Sequence, residues 1–442
     1  MERTVAVSPP RLHPLDQRLV GIPDGLLRAY RDAFAGRRLA WASPAIFTVG
    51  AYLGFYGLGL VLARPTPNLS TIAVAVGLGL VGLLAGIGLG WGTASRPTRI
   101  RPVDRRLMTR YGLLLFGVGS AALIAYFAAI GYVPLFQASL EQSRVDAATE
   151  GGATLRVISL LALPGAWILI AQAVAGRDRR GLVLAAGGVV ILALGFALTG
   201  NRSPAFLVVE VAIISGLLAA GKDRLGGRSL ALLALVGVLF VVGAGAFGAF
   251  RLGSQSSFYG PLVPGERIPP PNYPALTAIS IKGYVVVPIQ NLDYTLDAVP
   301  DRIGWQLGGT YLQPLLTVLP GRQTTFDADL KAALDQHYAG GGTVPGLLGE
   351  AYANFGPVGW LVIPFLAGAA LTVIYRVSQG GGPELIVLYA YALIHVSIGG
   401  VLSGLSMASV FPFEAYAVLG FAILALPVVV SLLHRRPPEA SA

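Results

Sequence analysis

Two polar residues four positions apart, Glu350 and Asn354, occur in the segment VPGLLGEAYANFG at 344–356. Residues with this spacing share one side of a helix, and the apolar residues around them recur as in an amphipathic helix. Gly356-Pro357 ends that helix immediately before an apolar run. The pattern predicts a carboxylate and an amide together at the mouth of a membrane bundle. Glu350 there is either a functional group or a solvated interfacial carboxylate.

Three further groups capable of acid–base chemistry precede this helix. Asp327 and Asp329 lie at the start of a second predicted helix, which Thr324 begins, and His337 lies near its end. Each of them can take a proton from a hydroxyl group in a reaction that needs a general base. The sequence does not choose among these three residues and Glu350.

Four arginines lie at helix ends or in loops that we assign to the outer side of the membrane. Guanidinium groups bind phosphate oxygens in bidentate fashion and stay charged when partly desolvated. They therefore predict an anion site for a phosphate group at the outer surface. The alternative is that each arginine extends to the lipid interface and forms local salt bridges. The four are Arg144, Arg202, Arg251 and Arg322.

Two titratable residues lie inside predicted membrane-spanning segments. Glu210 follows Arg202 by eight residues, which places it on about the same helix face two turns deeper. Pairing with an arginine is the role that we expect for this carboxylate. We interpret His395 as a hydrogen-bonded residue of the core.

The composition identifies an integral membrane protein. Of 442 residues, 54% are hydrophobic and 12% are charged, whereas soluble domains carry about 25% charge. There is no cysteine and the four histidines are scattered, so we predict no metal site and no cofactor. The net charge of +10 is explained by membrane topology and anionic lipid, and no nucleic-acid partner is expected.

Length and hydropathy predict an all-α polytopic membrane protein with about ten transmembrane helices. The segments between 93 and 110 and between 176 and 181 are rich in arginine and separate successive spans. The predicted spans are 43–63, 71–92, 111–131, 153–175, 182–200, 203–220, 229–250, 357–377, 384–406 and 410–433.

The distribution of basic residues predicts the orientation. The segments that would face the cytoplasm contain 22 of the 32 lysines and arginines, so both termini are expected inside and residues 251–356 outside. This long loop is expected to form two or three short helices folded over the bundle, with an apolar stretch at 283–299 that grazes the membrane. The predicted parts are a basic cytoplasmic segment with an interfacial helix (1–42), seven spans (43–250), the extracytoplasmic loop (251–356), three spans (357–433) and a cytoplasmic tail (434–442).

Three motifs resemble a known family in order and spacing. GYVPLF at 131–136, with Arg144 eight residues later, resembles the G-x-hydrophobic-PLF…R segment of bacterial oligosaccharide repeat-unit polymerases (the O-antigen polymerase, or Wzy, class). TGNRSPAF at 199–206 resembles the T-G-x-R-S/G turn of that family. VPGLLGEAYANFGPVGW at 344–360 resembles its P-G-hydrophobic-LGE-x-Y-x-NFG-x-x-G segment, the most specific of the three.

The resemblance implies a GT-C-like membrane glycosyltransferase at the outer face of the bacterial plasma membrane. Such enzymes transfer a growing glycan from undecaprenyl diphosphate to the next lipid-linked repeat unit, and a flippase and a chain-length regulator are possible partners. In this interpretation the outer arginines contact the diphosphate and one of the four acid–base residues is the general base. Asn354 and Tyr352, in the third motif, are predicted to bind substrate.

Three other interpretations remain open at this level. A transferase of the O-antigen-ligase type shares the donor and the outer loop but uses a different acceptor. A polysaccharide or lipid transporter would show repeated halves with broken helices, which the sequence does not make evident. A scaffolding membrane protein would leave the outer arginines without a role.

Overall fold

The structure is a computed structural model, and its described part covers most of the membrane-embedded chain. Short pieces between 237 and 249 are also described. The described ranges are 42–93, 103–137, 143, 146–147, 152–200, 202–221, 273–316, 325–336 and 342–406.

Every regular element in these ranges is a helix, so the prediction of an all-α polytopic membrane protein is confirmed. Eight helical stretches are long and apolar enough to cross a membrane, with α4 and α5 counted as one stretch. The helices are α1 (Pro44–Leu62), α2 (Leu69–Thr93), α3 (Arg105–Ile130), α4 (Ala153–Ser159), α5 (Ala162–Ala175), α6 (Arg179–Leu198), α7 (Arg202–Ala219), α8 (Tyr273–Ala298), α9 (Gly309–Leu316), α10 (Phe326–Ala333), α11 (Gly346–Gln379) and α12 (Pro383–Ser403).

Most of the predicted spans coincide with these helices. The segment predicted at 203–220 is α7, which is apolar over the shorter stretch Ser203–Ala219. Only a few residues of the predicted span at 229–250 are described. The span predicted at 410–433, the interfacial helix of segment 1–42 and the tail at 434–442 lie outside the described residues.

One element differs from the expectation for the outer loop. The apolar stretch at 283–299 belongs to α8, a helix of 26 residues that meets the length and composition of a membrane span. It packs against α1, where Gly59 leaves room for the Val285 carbonyl and the Ile289 side chain. Lys282 and the interior Pro288 lower the hydropathy and interrupt the helical pattern, which explains why the sequence suggested a shorter element.

The closest helix packing joins α2 to α11. A Cβ atom at Gly82 or Gly86 would overlap the carbonyl oxygens of Leu361 and Phe365, respectively. In the other direction, a Cβ atom at Gly368 would lie 2.6 Å from the Leu83 carbonyl oxygen. Small residues of this kind let two helix backbones approach in a membrane, where association depends on van der Waals contact.

The helix ends rich in arginine lie at one end of the bundle. Arg376, near the end of α11, donates a hydrogen bond to the Trp91 carbonyl at the end of α2 (3.0 Å) and lies over the Trp91 ring. Nearby, the backbone N–H of Val103 donates to the Glu384 carboxylate at the start of α12. That this end of the bundle faces the cytoplasm stays a prediction.

The glycine packing gives a first testable prediction. Gly86→Ala should lower the free energy of unfolding by about 1–3 kcal/mol, because the added methyl group forces α2 away from α11. The measurement is the thermal unfolding midpoint of the purified protein in detergent. Gly77→Ala is the matched control on the same helix, since no described atom lies within 4 Å of its added Cβ. Equal midpoints for the two variants would contradict this account of the interface.

Candidate functional site

The site is built around a sharp bend in α11. Gly356 has φ 61° and ψ −153°, which divides α11 into a short entry limb, Gly346–Phe355, and a long limb, 357–379. This positive φ is strained for residues with a side chain, which accounts for the glycine. Gly359, one turn into the long limb, packs directly against the Ala351 carbonyl of the entry limb. The two limbs therefore pack against each other at the bend. The predicted end of the first helix at Gly356-Pro357 is confirmed.

The entry limb starts deep inside the bundle. The backbone N–H of Leu348 donates to the hydroxyl of Tyr56, a fully buried residue in the π-helical turn Leu53–Gly57 of α1 (3.2 Å). Gly346 has φ +67°, and a Cβ atom there would lie 2.9 Å from the Val401 carbonyl. From this point the limb runs to Gly356, which contacts the half-exposed Trp305. The entry limb therefore begins inside the bundle and reaches its mouth only at Gly356.

Glu350 lies in the middle of the entry limb and is fully buried. One carboxylate oxygen accepts a hydrogen bond from the Thr310 hydroxyl (3.0 Å), and the other accepts from the backbone N–H of Ser406 (3.2 Å). Gly404 makes room for it, since a Cβ atom there would lie 2.7 Å from Oε2. The interpretation of Glu350 as a solvated interfacial carboxylate is therefore wrong, because the protein supplies its hydrogen bonds.

Asn354 completes the same network one turn later. Its amide oxygen accepts from the backbone N–H of Gly308 (2.8 Å). Its Nδ2 donates to the Thr310 hydroxyl (2.7 Å) and to the Glu350 carbonyl (2.8 Å). The amide thus fixes the segment around α9 onto the entry limb. This is a positioning role within the protein, and the contact with substrate that we predicted for Asn354 stays a prediction.

Tyr352 belongs to an aromatic stack on another face of the limb. Its ring lies parallel to that of Trp360, with centroids 5.3 Å apart, and meets the edge of Trp305 at the same distance. Trp360 is buried, whereas Trp305 is 40% exposed. The stack therefore connects the core of the bundle to an accessible indole ring.

Asp327 lies in the first turn of α10, which packs against the entry limb through contacts that include Ala353. It is 3% exposed, and its Oδ1 has no hydrogen-bond partner in the part of the chain that the structure describes. Burial raises the pKa of this carboxyl from 3.8 to about 6. Gly342 packs directly on the other oxygen, where any side chain would overlap it. The Thr325 side chain and the backbone at the start of α10 bond this carboxyl and oppose part of the rise in its pKa. Asp327 is thus a covered carboxylate whose Oδ1 has no partner among the described residues.

Glu350 and Asp327 do not share a hydrogen-bond network in the described part of the chain. Glu350 shares a hydrogen-bond network with Asn354, and Asp327 lies with α10 in a separate cluster against Ala353. Asp329, two residues further along α10, is half-buried and makes interactions of its own. His337 lies outside the described residues.

The predicted anion site is described only in part. Arg202 is the first residue of α7, and the structure describes its place in the helix but not its side chain. Arg144, Arg251 and Arg322 lie outside the described residues. Within the described ranges, no three histidine, aspartate or glutamate side chains lie close enough together to hold a metal ion.

Sequence reasoning missed the partners that hold Glu350. Thr310, Ser406 and Gly308 come from segments 40 or more residues away along the chain. Tyr56, which anchors the start of the limb, lies 292 residues before Leu348. None of these residues belongs to a recognisable motif, so only the folded chain reveals them.

Searches against protein families, curated proteins and solved structures found no match to this chain. The resemblance to oligosaccharide polymerases therefore depends on the three motifs themselves. The fold class is shown by the structure, and the function is a matter for proposal.

The network around Glu350 can be tested through Thr310. Thr310→Val removes a donor to Glu350 and an acceptor for Asn354 in a buried site, so the free energy of unfolding should fall by about 1–3 kcal/mol. The measurement is the unfolding midpoint in detergent. Thr109→Val is the matched control, because the Thr109 hydroxyl bonds the Arg105 carbonyl of its own helix at the surface. If the two variants unfold alike, the network contributes nothing to stability.

Proposed function

We propose that this protein is a membrane glycosyltransferase that polymerises undecaprenyl-diphosphate-linked oligosaccharide repeat units at the outer face of the bacterial plasma membrane. The observation that carries the proposal is the placement of Asp327. A buried carboxylate with an unsatisfied oxygen packs against the entry limb, and that limb contains the most specific of the three motifs. Hydrogen bonds of Glu350 and Asn354 fix the limb within the bundle.

Asp327 has the properties of a general base. A catalytic carboxylate works best when its pKa approaches the working pH, and burial raises the pKa of Asp327 to about 6. It is then largely ionised at neutral pH but more basic than an exposed aspartate. Both oxygens of Glu350 already accept hydrogen bonds from the protein, so we assign the proton transfer to Asp327 and a positioning role to Glu350.

The proposed step transfers a glycan between two lipid carriers. The hydroxyl of the acceptor's non-reducing sugar attacks the anomeric carbon of the donor and loses its proton to Asp327. A new glycosidic bond forms as the bond between the anomeric carbon and the diphosphate oxygen breaks. Undecaprenyl diphosphate leaves with the electron pair, and its added charge must be stabilised.

The start of α7 suits the leaving diphosphate. Helices α6 and α7 are separated by three residues, Thr199–Asn201, and Pro204 lies in the first turn of α7. The N-terminus of α7 presents backbone N–H groups and the positive end of the helix dipole. Arg202, its first residue, adds a guanidinium group that can bind two phosphate oxygens. Arg144, Arg251 and Arg322 stay predictions as further contacts.

The exposed edge of Trp305 supports an acceptor of sugar type. Its indole ring is 40% exposed beside Tyr352 and contacts Gly356 at the bend. Flat apolar faces next to polar groups are the usual lining of small-molecule sites. A sugar ring stacked on Trp305 would lie next to the limb that positions Asp327.

Deletion of the gene tests the proposed function directly. Cells of the natural host without it should carry single repeat units on the lipid carrier and lack long polysaccharide, with repeat-unit synthesis intact. The measurement is the glycan length distribution on the extracted carrier lipid. Chains of normal length that are not attached to their final acceptor would instead indicate a ligase. Loss of the single repeat units themselves would contradict the proposal.

The role of Asp327 predicts opposite effects on activity and stability. Asp327→Asn should abolish polymerisation, because an amide does not accept the proton. A raised pKa in the folded state means that the folded protein binds the proton more tightly than the unfolded chain, so stability falls as pH rises from about 4 to above 6. At neutral pH the ionised, buried Asp327 lowers the free energy of unfolding by about 3 kcal/mol. Asp327→Asn should remove this loss of stability. The variant should therefore have a raised unfolding midpoint at pH 7.5 and an unchanged one near pH 4.

Asp329→Asn is the matched control for this experiment. It makes the same chemical change two residues away on α10, at a position that is half-buried. It should retain polymerisation. In the wild type, the initial rate should fall tenfold per pH unit below about pH 6. A rate that is independent of pH between 5 and 7.5 would remove Asp327 from the chemistry.

A further inference from the structure

A cavity lies within the bundle, and none of the four acid–base candidates is among its lining residues. This cavity of about 440 Å³ opens between α1, α7, α8 and α12, within the size range of cavities that hold small-molecule ligands. Its walls are mostly apolar side chains, among them Phe206, Val285, Ile398 and Leu402. Protein interiors contain few voids larger than a water molecule, so a cavity of this size is consistent with a binding site.

Two distorted turns border this cavity. Helix α1 has a π-helical turn at Leu53–Gly57, and α12 has another at His395–Gly399. Phe55 from the first turn and Ile398 from the second both line the cavity. π-Helical turns are rare and concentrate at functional sites. Two of them on one wall indicate that both helices are shaped around the cavity.

The cavity runs inward from the start of α7. Ser203 and Glu210 both line it, and seven residues along a helix span about 10 Å. The end at Ser203 is next to Arg202, where we place the diphosphate. Glu210, at the deeper level, has no hydrogen bond or ion pair with any residue whose side chain the structure describes, and its predicted pairing with Arg202 stays a prediction.

We propose that this cavity holds one extended apolar chain of a lipid, which enters beside Ser203 and passes Glu210. The isoprenoid chain of the glycan carrier and the acyl chain of a membrane phospholipid share this chemistry. Its identification with the carrier rests on the proposed function. In that case the chain lies in the cavity while its diphosphate lies at the N-terminus of α7, so one helix positions both parts of the donor.

Photocrosslinking tests the proposal with the purified full-length protein in lipid nanodiscs. The probe is a polyprenyl phosphate with a diazirine in its chain, and labelled peptides are identified by mass spectrometry. Labels should concentrate on peptides of α7 and α12 that line the cavity. Gly237→Leu should reduce this labelling about tenfold, because Gly237 lines the cavity and no described atom lies within 4 Å of an added Cβ, so the new side chain can enter the cavity. Val241→Phe, at another lining position, should do the same.

Gly187→Leu is the matched control on the exposed face of α6, where an added Cβ also has no described atom within 4 Å. It should leave the labelling unchanged. Glu210→Leu should also retain it, since the bound group is apolar at that depth. Equal labelling in the Gly237→Leu, Val241→Phe and Gly187→Leu variants would overturn the proposal, as would loss of labelling in Glu210→Leu.

Competition identifies the source of the chain. Displacement of the probe by unlabelled polyprenyl phosphate, but not by phosphatidylglycerol, supports the carrier. Equal displacement by both lipids would overturn that identification.

The cavity proposal and the proposed function can fail independently of each other. A wild-type protein without polymerase activity that still shows labelling sensitive to Gly237→Leu contradicts the proposed function alone. Normal polymerisation by Gly237→Leu with undiminished labelling contradicts the cavity proposal alone.

Discussion

A carboxylate placed inside a membrane bundle must obtain its hydrogen bonds from the protein, and Glu350 imposes this requirement on the fold. An unsatisfied charge in such an environment costs several kcal/mol. The chain meets the requirement with the Thr310 hydroxyl and the Ser406 backbone N–H. Because these donors come from α9 and from the segment that follows α12, the carboxylate connects both elements to the entry limb.

The bend at Gly356 is what makes this arrangement possible. A straight helix of 34 residues would be about 50 Å long, more than the thickness of a bilayer. The positive φ at Gly356 folds the entry limb back, so that the polar residues of one helix lie inside the bundle while its long limb crosses the membrane. The same limb presents Ala353 to α10. The short limb thus contains Glu350 and also packs, through Ala353, against the helix that contains Asp327.

The spans were predictable where the chain is continuously apolar, as in α2 and α6, because hydropathy measures the quantity that a membrane selects. Helix α8 was missed in part because Lys282, Pro288 and Asp293 dilute that signal. The helix around Glu350 was predicted from its periodicity, but its depth was not. Periodicity identifies the apolar face of a helix and says nothing of the distant segments that cover its polar side. Asp327 differs from Glu350 in that its Oδ1 has no hydrogen-bond partner in the described part of the chain, a property that the sequence does not reveal.

The separation of Glu350 from its partners along the chain has a consequence for biosynthesis. Tyr56, which anchors the entry limb, is made about 290 residues before the limb, whereas Ser406 follows Glu350 by 56 residues. When the limb leaves the ribosome, its anchor is already in the membrane but one donor to its carboxylate does not yet exist. The limb therefore cannot settle until α12 has been inserted. A chain cut short before α12 would lack one of the two donors to the Glu350 carboxylate.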